Sequence, residues 1–222
     1  MRKTAWLLCL SFLVTFFCIN AALSERQEFK ADYEALNGQP VPGHPEITFQ
    51  TLCIENYPRI IQLSAWEAAE LGENKAVVYL GAAWCPWCRN AVPCLMSAAE
   101  TEGLSIIYYV DMSDERDLCE MMNGEKIRVI EGTPGYWALL EKLETFLPDY
   151  TQSLPDGTTV KMGEKRIYLP TLAYLQNGKY ISIMQPLCKR TEKQTEYDPL
   201  SDMQRTDLTD QIIKWLQKNG SA

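Results

Sequence analysis

Two cysteines three residues apart, Cys85 and Cys88, lie within Trp84-Cys85-Pro86-Trp87-Cys88-Arg89. A dithiol at this spacing can close into a disulfide and reopen, or supply half of a tetrahedral zinc site. Zinc needs a second pair of ligands at short spacing. Cys53, Cys94, Cys119 and Cys188 form no second Cys-x-x-Cys, and His44 is the only histidine. The redox reading therefore prevails, with no metal and no organic cofactor expected. What flanks the pair strengthens it. Ala76 to Gly81 is a short apolar run that reads as a buried strand, and Asn90 to Glu102 reads as a helix. The cysteines thus fall where a strand turns into a helix N-terminus, whose partial positive charge and free N–H groups stabilise a thiolate. Trp84 and Trp87 shield such a dithiol and offer an apolar rim to a substrate, although packing alone would also explain them.

The elements that must hold this pair can be read outward from it. Glu25 to Asn37 is a weakly amphipathic helix with Phe29, Tyr33 and Leu36 on one face, and Gly38 to Pro45 is a loop or linker carrying His44, an exposed residue without a motif. Ile47–Ile54 and Arg59–Leu63 read as short strands. Ser64 is a candidate cap for a helix that Gly72 ends. Beyond the dithiol helix, Ser105–Val110 is a second apolar strand, Glu115–Met122 and Gly135–Phe146 read as helices, and Asp156-Gly157 marks a turn. Thr171–Leu175 and Lys179–Met184 are strands joined at Asn177-Gly178, a strong hairpin signal. A charged connector over 189–202 leads to an amphipathic helix, Met203–Lys218. This order predicts an α/β layer structure with a central mixed sheet flanked by helices.

The chain has 222 residues, 46% hydrophobic and 23% charged, enough for one domain with additions. Its formal charge of −8 with no basic stripe argues against a nucleic-acid partner. Residues 1–22 stand apart. Arg2 and Lys3 precede an apolar run from Ala5 to Ile19 and the small residues Ala21 and Ala22, the pattern of a secretory signal. The run is short for a spanning helix, which needs about 20 residues, so cleavage near Ala22 is favoured over retention as an anchor. The expected location is extracytoplasmic: secreted, periplasmic or membrane-anchored facing outside, with membrane contact only through residues 1–22 if they are kept. Disulfides persist in such compartments. Cys9 and Cys18 fall inside this segment and carry no expected chemistry. Cys53, Cys94, Cys119 and Cys188 are open between two structural disulfides and buried thiols, with core packing preferred.

These residues resemble the thioredoxin superfamily. Trp84-Cys85-x-x-Cys88 follows an apolar strand, Pro93 lies where thioredoxins kink the active-site helix, and Tyr168-Leu169-Pro170-Thr171-Leu172 precedes the Asn-Gly hairpin as a cis-proline loop would. The resemblance implies the thioredoxin fold over 59–222, after an N-terminal extension at 23–58. It implies Cys85 as nucleophile, Cys88 as resolving thiol, and Leu169 and Pro170 beside Trp84, Pro86 and Trp87 as the substrate-binding strip. Gly132-Thr133-Pro134 is a rival cis-proline loop, but no apolar strand pair follows it, and Pro134 fits the first turn of a helix. Two departures stand out. Tyr79 occupies the position of a buried acid six residues before Cys85, and a phenol with pKa near 10 is a poor base. About 40 residues are inserted between Asp111 and Pro170 by comparison with thioredoxins, expected as a helical insertion at about 114–165. A helical insert in this fold is similar to the DsbA-like oxidases, and the layout resembles the bacteriocin-transport accessory proteins. Arg89 is open between stabilising the thiolate and being a solvated helix residue.

The expected function is thiol–disulfide exchange with protein or peptide thiols and disulfides, with electrons passing through a further redox partner that the sequence does not identify. The alternative is a non-catalytic thioredoxin-fold module that docks a secreted peptide or a secretion partner, for which the dithiol would be dispensable. A peroxidase would need its reactive cysteine in a different motif context.

Overall fold

A computed structural model describes residues 28–54, 58–122, 124–154 and 156–220. The predicted signal at 1–22 and the first residues of the extension lie outside the described residues. Residues 28–35 are helical (α1), followed by a hairpin of β1 (Pro40–Val41) and β2 (His44–Thr48). This corrects the reading of 38–45 as loop and 47–54 as strand, because the Pro42-Gly43 turn starts the hairpin earlier. Residues 49–54 are not part of a ladder. Phe49 exchanges backbone hydrogen bonds with Gly38 and Gln39, and beyond it side chains take over, Leu52 N–H donating to Asn37 Oδ1 and Ile54 N–H to Glu34 Oε1.

The core elements follow as β3 (Arg59–Gln62), α2 (Ala65–Ala69), β4 (Lys75–Gly81), α3 (Pro86–Thr101) and β5 (Ile106–Asp111). Ser64 caps α2 in a full capping box with Glu67. After β5 come β6 (Leu118–Met122), β7 (Glu125–Ile130), α4 (Pro134–Leu143), β8 (Asp149–Ser153) and β9 (Thr159–Lys165). The chain closes with β10 (Thr171–Gln176), β11 (Lys179–Met184) and α5 (Asp202–Lys218).

Five strands form the central sheet in the order β11-β10-β4-β5-β3. β3, β4 and β5 run parallel, and β10 joins β4 antiparallel with β11 as the edge. Counting only these strands, the sheet order is 1-3-2-4-5 with an antiparallel end. α2 packs on α4 and α3 on α5, two helical pairs flanking the sheet. The chain has a thioredoxin-like fold. The sheet centre is predominantly apolar, with Val77, Val78, Leu80, Ile107, Leu172 and Ala173 all buried, as expected of strands covered on both faces.

The insertion is corrected. It was expected to be helical, yet it consists of one helix and two hairpins, β6–β7 and β8–β9. Glu115–Met122 does not form a helix, because Leu118–Met122 pairs antiparallel with Glu125–Ile130, and Gly124 before the second strand takes a φ of +84°. Contacts from the second hairpin then fix the first: Tyr150 Oη accepts from Cys119 N–H and Gln152 Oε1 from Met121 N–H. Between the hairpins, Pro134 is the first residue of α4 with Thr133 as its cap, the ordinary use of proline at a helix start.

The hairpins are joined to the core by an ion network. Asp117 and Arg166, both buried, pair at 3.2 Å, and Arg128 and Lys126 pair with Glu164 at 2.9 and 3.3 Å. Arg166 lies three residues before Leu169, so the network reaches the start of β10.

Candidate active site

The strand-to-helix turn after β4 places the dithiol. Cys85 is the N-cap of α3, with extended φ and ψ of −74° and 118°, and its sulfur accepts the Cys88 N–H at 3.3 Å. Pro86 starts the helix, where a missing N–H costs nothing. The register Leu80↔Thr171 brings the residue after Pro170 level with the end of β4. The Leu169–Pro170 bond is cis, and the Cys85 thiol donates to the Leu169 carbonyl at 3.8 Å. Cys85, Cys88, Leu169 and Pro170 are thus brought together from parts of the chain that are distant in sequence.

The two thiols differ in character. The Cys88 thiol beside it holds Cys85 below the ordinary cysteine range, helped by the Cys88 and Trp87 N–H groups and by the Arg116 charge, against the cost of burial. Burial, together with the hydrogen bond to Cys85 and its charge, pushes Cys88 well above that range. The surroundings therefore favour the thiolate at Cys85 and the thiol at Cys88. The pair titrates as a coupled unit.

Around them stands an aromatic rim. Trp84 is 43% exposed, and Pro86 and Trp87 are half-buried. Each tryptophan carries an arginine. Arg116, from the turn after β5, lies 6.0 Å from the Trp84 ring centroid, and Trp84 Nε1–H donates to Ser113 Oγ of the same turn at 3.0 Å. Arg190 lies 5.0 Å from the Trp87 ring centroid. The expected charged connector is a strap passing beside the start of α3. Arg190 donates to the carbonyls of Thr195, Glu196 and Asp198, while Asn90 Nδ2 donates to those of Glu196 and Asp198.

Arg89 corrects the reading of it as a solvated helix residue. It is 1% exposed, not solvated, and the charge that acts on Cys85 belongs to Arg116. Its guanidinium donates to the carbonyls of Tyr33, Ala83 and Gln50 and to Asn37 Oδ1, at 2.6 to 3.1 Å. It fastens the N-terminal extension to the dithiol turn. Sequence reasoning missed Arg116, Asn90 and the strap, because none lies in a motif and only tertiary folding brings them to the rim.

The remaining cysteines stand apart from the pair. Cys94 is buried and donates to Asn90 and Arg205 carbonyls. Cys119 is buried between the Asp117 and Glu164 carboxylates. Cys188 is half-buried and Cys53 exposed. Among the described residues no disulfide joins them. Asp117, Cys119 and Glu164 bring three potential ligand atoms within 4.8 Å, but the neighbouring guanidinium and ammonium groups already neutralise both carboxylates.

No protein-family model matches the chain, and no curated protein matches it. Solved structures to which the chain is similar include thioredoxin O2 from Arabidopsis thaliana, 14% identical over 72% of this chain and 92% of that one, with a TM-score of 0.33. A thioredoxin from Malassezia sympodialis is 13% identical over 60% of this chain and 84% of that one, at 0.32. Human ERp44 is 11% identical over 74% of this chain, which spans 30% of ERp44, at 0.33.

Proposed function

We propose that this protein is an extracytoplasmic thiol–disulfide oxidoreductase that exchanges disulfides with protein or peptide substrates through Cys85 and Cys88. The observation that carries the reading is the placement of the Cys85 sulfur, capping α3 by accepting the Cys88 N–H and facing the Leu169 carbonyl. The N–H accepted by this sulfur favours its thiolate, the nucleophilic form. The backbone around Leu169 is positioned to pair with an extended substrate segment, and Trp84, Pro86 and Trp87 supply apolar contact beside it.

In the reducing direction, the Cys85 thiolate attacks a substrate disulfide, and one substrate sulfur leaves as a thiolate. The Cys88 sulfur then attacks Cys85 Sγ. The second substrate sulfur departs with the bond's electron pair, and the Cys88 proton passes to it. The protein is left with a Cys85–Cys88 disulfide, and the substrate has gained two electrons. The same steps reversed oxidise a substrate dithiol. A separate redox protein resets the pair. The extracytoplasmic part of the reading is supported by the pattern of residues 1–22 and by the persistence of disulfides outside the cytoplasm.

The test is exchange with insulin disulfides. Cys85→Ser is expected to abolish it, and Cys88→Ser to accumulate mixed disulfides on Cys85, visible as mass adducts lost on reduction. Full exchange by Cys85→Ser would overturn the reading. A double Cys85→Ser, Cys88→Ser protein that still performed its role in the cell would favour the docking module instead. Cell fractionation with an antibody to the chain tests the location.

A further inference from the structure

Arg116 brings to the rim a positive charge that no described residue balances. β5 delivers it: Asp111 pairs in register with Gly81, and the Met112 N–H donates to the Gly81 carbonyl at 2.8 Å. The turn that follows therefore lies against the end of β4, where the chain enters the dithiol. Trp84 is tied to that turn through Ser113 Oγ, and the Arg116 guanidinium stands 6.0 Å from its ring centroid. Contact at the outer limit of a cation–π interaction leaves the guanidinium N–H donors uncommitted. Arg116 is half-buried and, among the described residues, makes no hydrogen bond and no ion pair.

The acids nearest to it in sequence are engaged elsewhere. Asp111 Oδ1 accepts from the Ser113 N–H and hydroxyl. Glu115 accepts from the Ala65 N–H at 3.2 Å and from the Thr133 hydroxyl. Asp117 is buried against Arg166 and Arg128, and Asp114 is exposed without reaching the guanidinium. The second rim arginine is similar: Arg190 donates to three backbone carbonyls and, among the described residues, pairs with no carboxylate. Burial and the neighbouring Arg166 charge both work against the positive charge of Arg116. A carboxylate docking there would relieve that cost and match the planar fork of donors. In a chain of formal charge −8, two arginines without carboxylate partners at one rim reverse the sign locally.

We infer that Arg116 is a specificity-determining residue that binds a carboxylate flanking the substrate cysteine, so that the protein selects disulfides in acidic peptide segments. An extended segment whose cysteine meets Cys85 must lay its flanking side chains along the rim that Trp84 and Arg116 form. Arg190, over Trp87, adds to the same field. No group is transferred in this recognition, and the exchange chemistry is unchanged. The inference rests on the oxidoreductase reading above and names its substrate class.

Three disulfide-linked peptide homodimers test it, differing only in the residues flanking the cysteine: glutamate, glutamine or lysine. Excess reduced full chain is mixed with each, and the thiol released is measured after acid quenching. Dividing by the rate of the same dimer with dithiothreitol removes the intrinsic reactivity of each disulfide. The wild type is expected to favour the glutamate dimer over the glutamine dimer about tenfold, the worth of one charge-assisted pair, and to disfavour the lysine dimer. Arg116→Gln should bring the glutamate-to-glutamine ratio within about twofold of parity, and Arg116→Lys should retain an intermediate preference. Any loss of thiolate in these variants slows all three dimers alike and cancels in the ratio. Equal corrected rates in the wild type, or an undiminished preference in Arg116→Gln, would overturn the inference while leaving the oxidoreductase reading intact. Should Arg116→Gln fail to fold, a lysine dimer reduced by the wild type as fast as the glutamate dimer overturns it equally. A wild-type chain that reduces none of the three would overturn the oxidoreductase reading itself.

Discussion

Cys85 draws its nucleophilicity from its immediate surroundings, and Arg116 is the one contributor carrying a full charge. Removing that charge is a test at the scale of a single side chain. Because the thiolate is the reactive form, a pKa held below the ordinary value of about 8.5 keeps Cys85 reactive at lower pH, and reactivity is lost as pH falls through the lowered value. Alkylation by iodoacetamide, followed at the Cys85 peptide across pH, should give a midpoint below about 8.5 in the wild type. Arg116→Gln should move it upward, and Arg116→Lys should keep most of the effect. A coincident profile for Arg116→Gln would show that the guanidinium serves Trp84 alone. The dithiol itself is legible in the sequence, since spacing, flanking strand and helix are all local. Arg116 is not, because nothing around it differs from an ordinary polar loop until Trp84 packs beneath it.

The two inserted hairpins depend on contacts between elements more than on their own sequence. β7 is exposed along its whole length, and the small cluster beneath the hairpins is Cys119, Tyr150 and Met162. An isolated two-stranded hairpin is marginal in water, so the Asp117–Arg166 pair carries much of the attachment. Asp117→Asn would leave the Arg166 guanidinium buried without its counter-charge, at a cost of about 3–5 kcal/mol in denaturant unfolding. A loss under about 1 kcal/mol, as for a surface pair, would show that the network does not hold the hairpins. This dependence also explains why Glu115–Met122 reads as helix. The run is short and mixed in polarity, and the hydroxyl and amide that fix it as a strand, on Tyr150 and Gln152, lie about 30 residues away. The β10–β11 hairpin is legible by contrast, because Asn177-Gly178 and the apolar strands beside it state the turn locally.

Across the whole molecule, the extension and the thioredoxin-like core fold as one body through Arg89. Its acceptors come from α1, from the segment before β3 and from the dithiol turn. Arg89→Met would leave buried carbonyls unpaired and is expected to cost on the order of 3 kcal/mol, about 6–12 °C in thermal unfolding at this size. A shift within about 2 °C, less than 1 kcal/mol would produce at this size, would show that the extension is only loosely attached. The same organisation governs the spare sulfurs. Burial raises the pKa of Cys94, Cys119 and Cys188 alike, as it does for Cys88, and of these groups with Cys85 only the last is lowered. A chain with several thiols runs the risk of shuffling its own sulfurs into wrong partners. Burial thus favours the protonated form of Cys88, Cys94, Cys119 and Cys188, and the packing that holds the core together also disfavours exchange at those four sulfurs relative to Cys85.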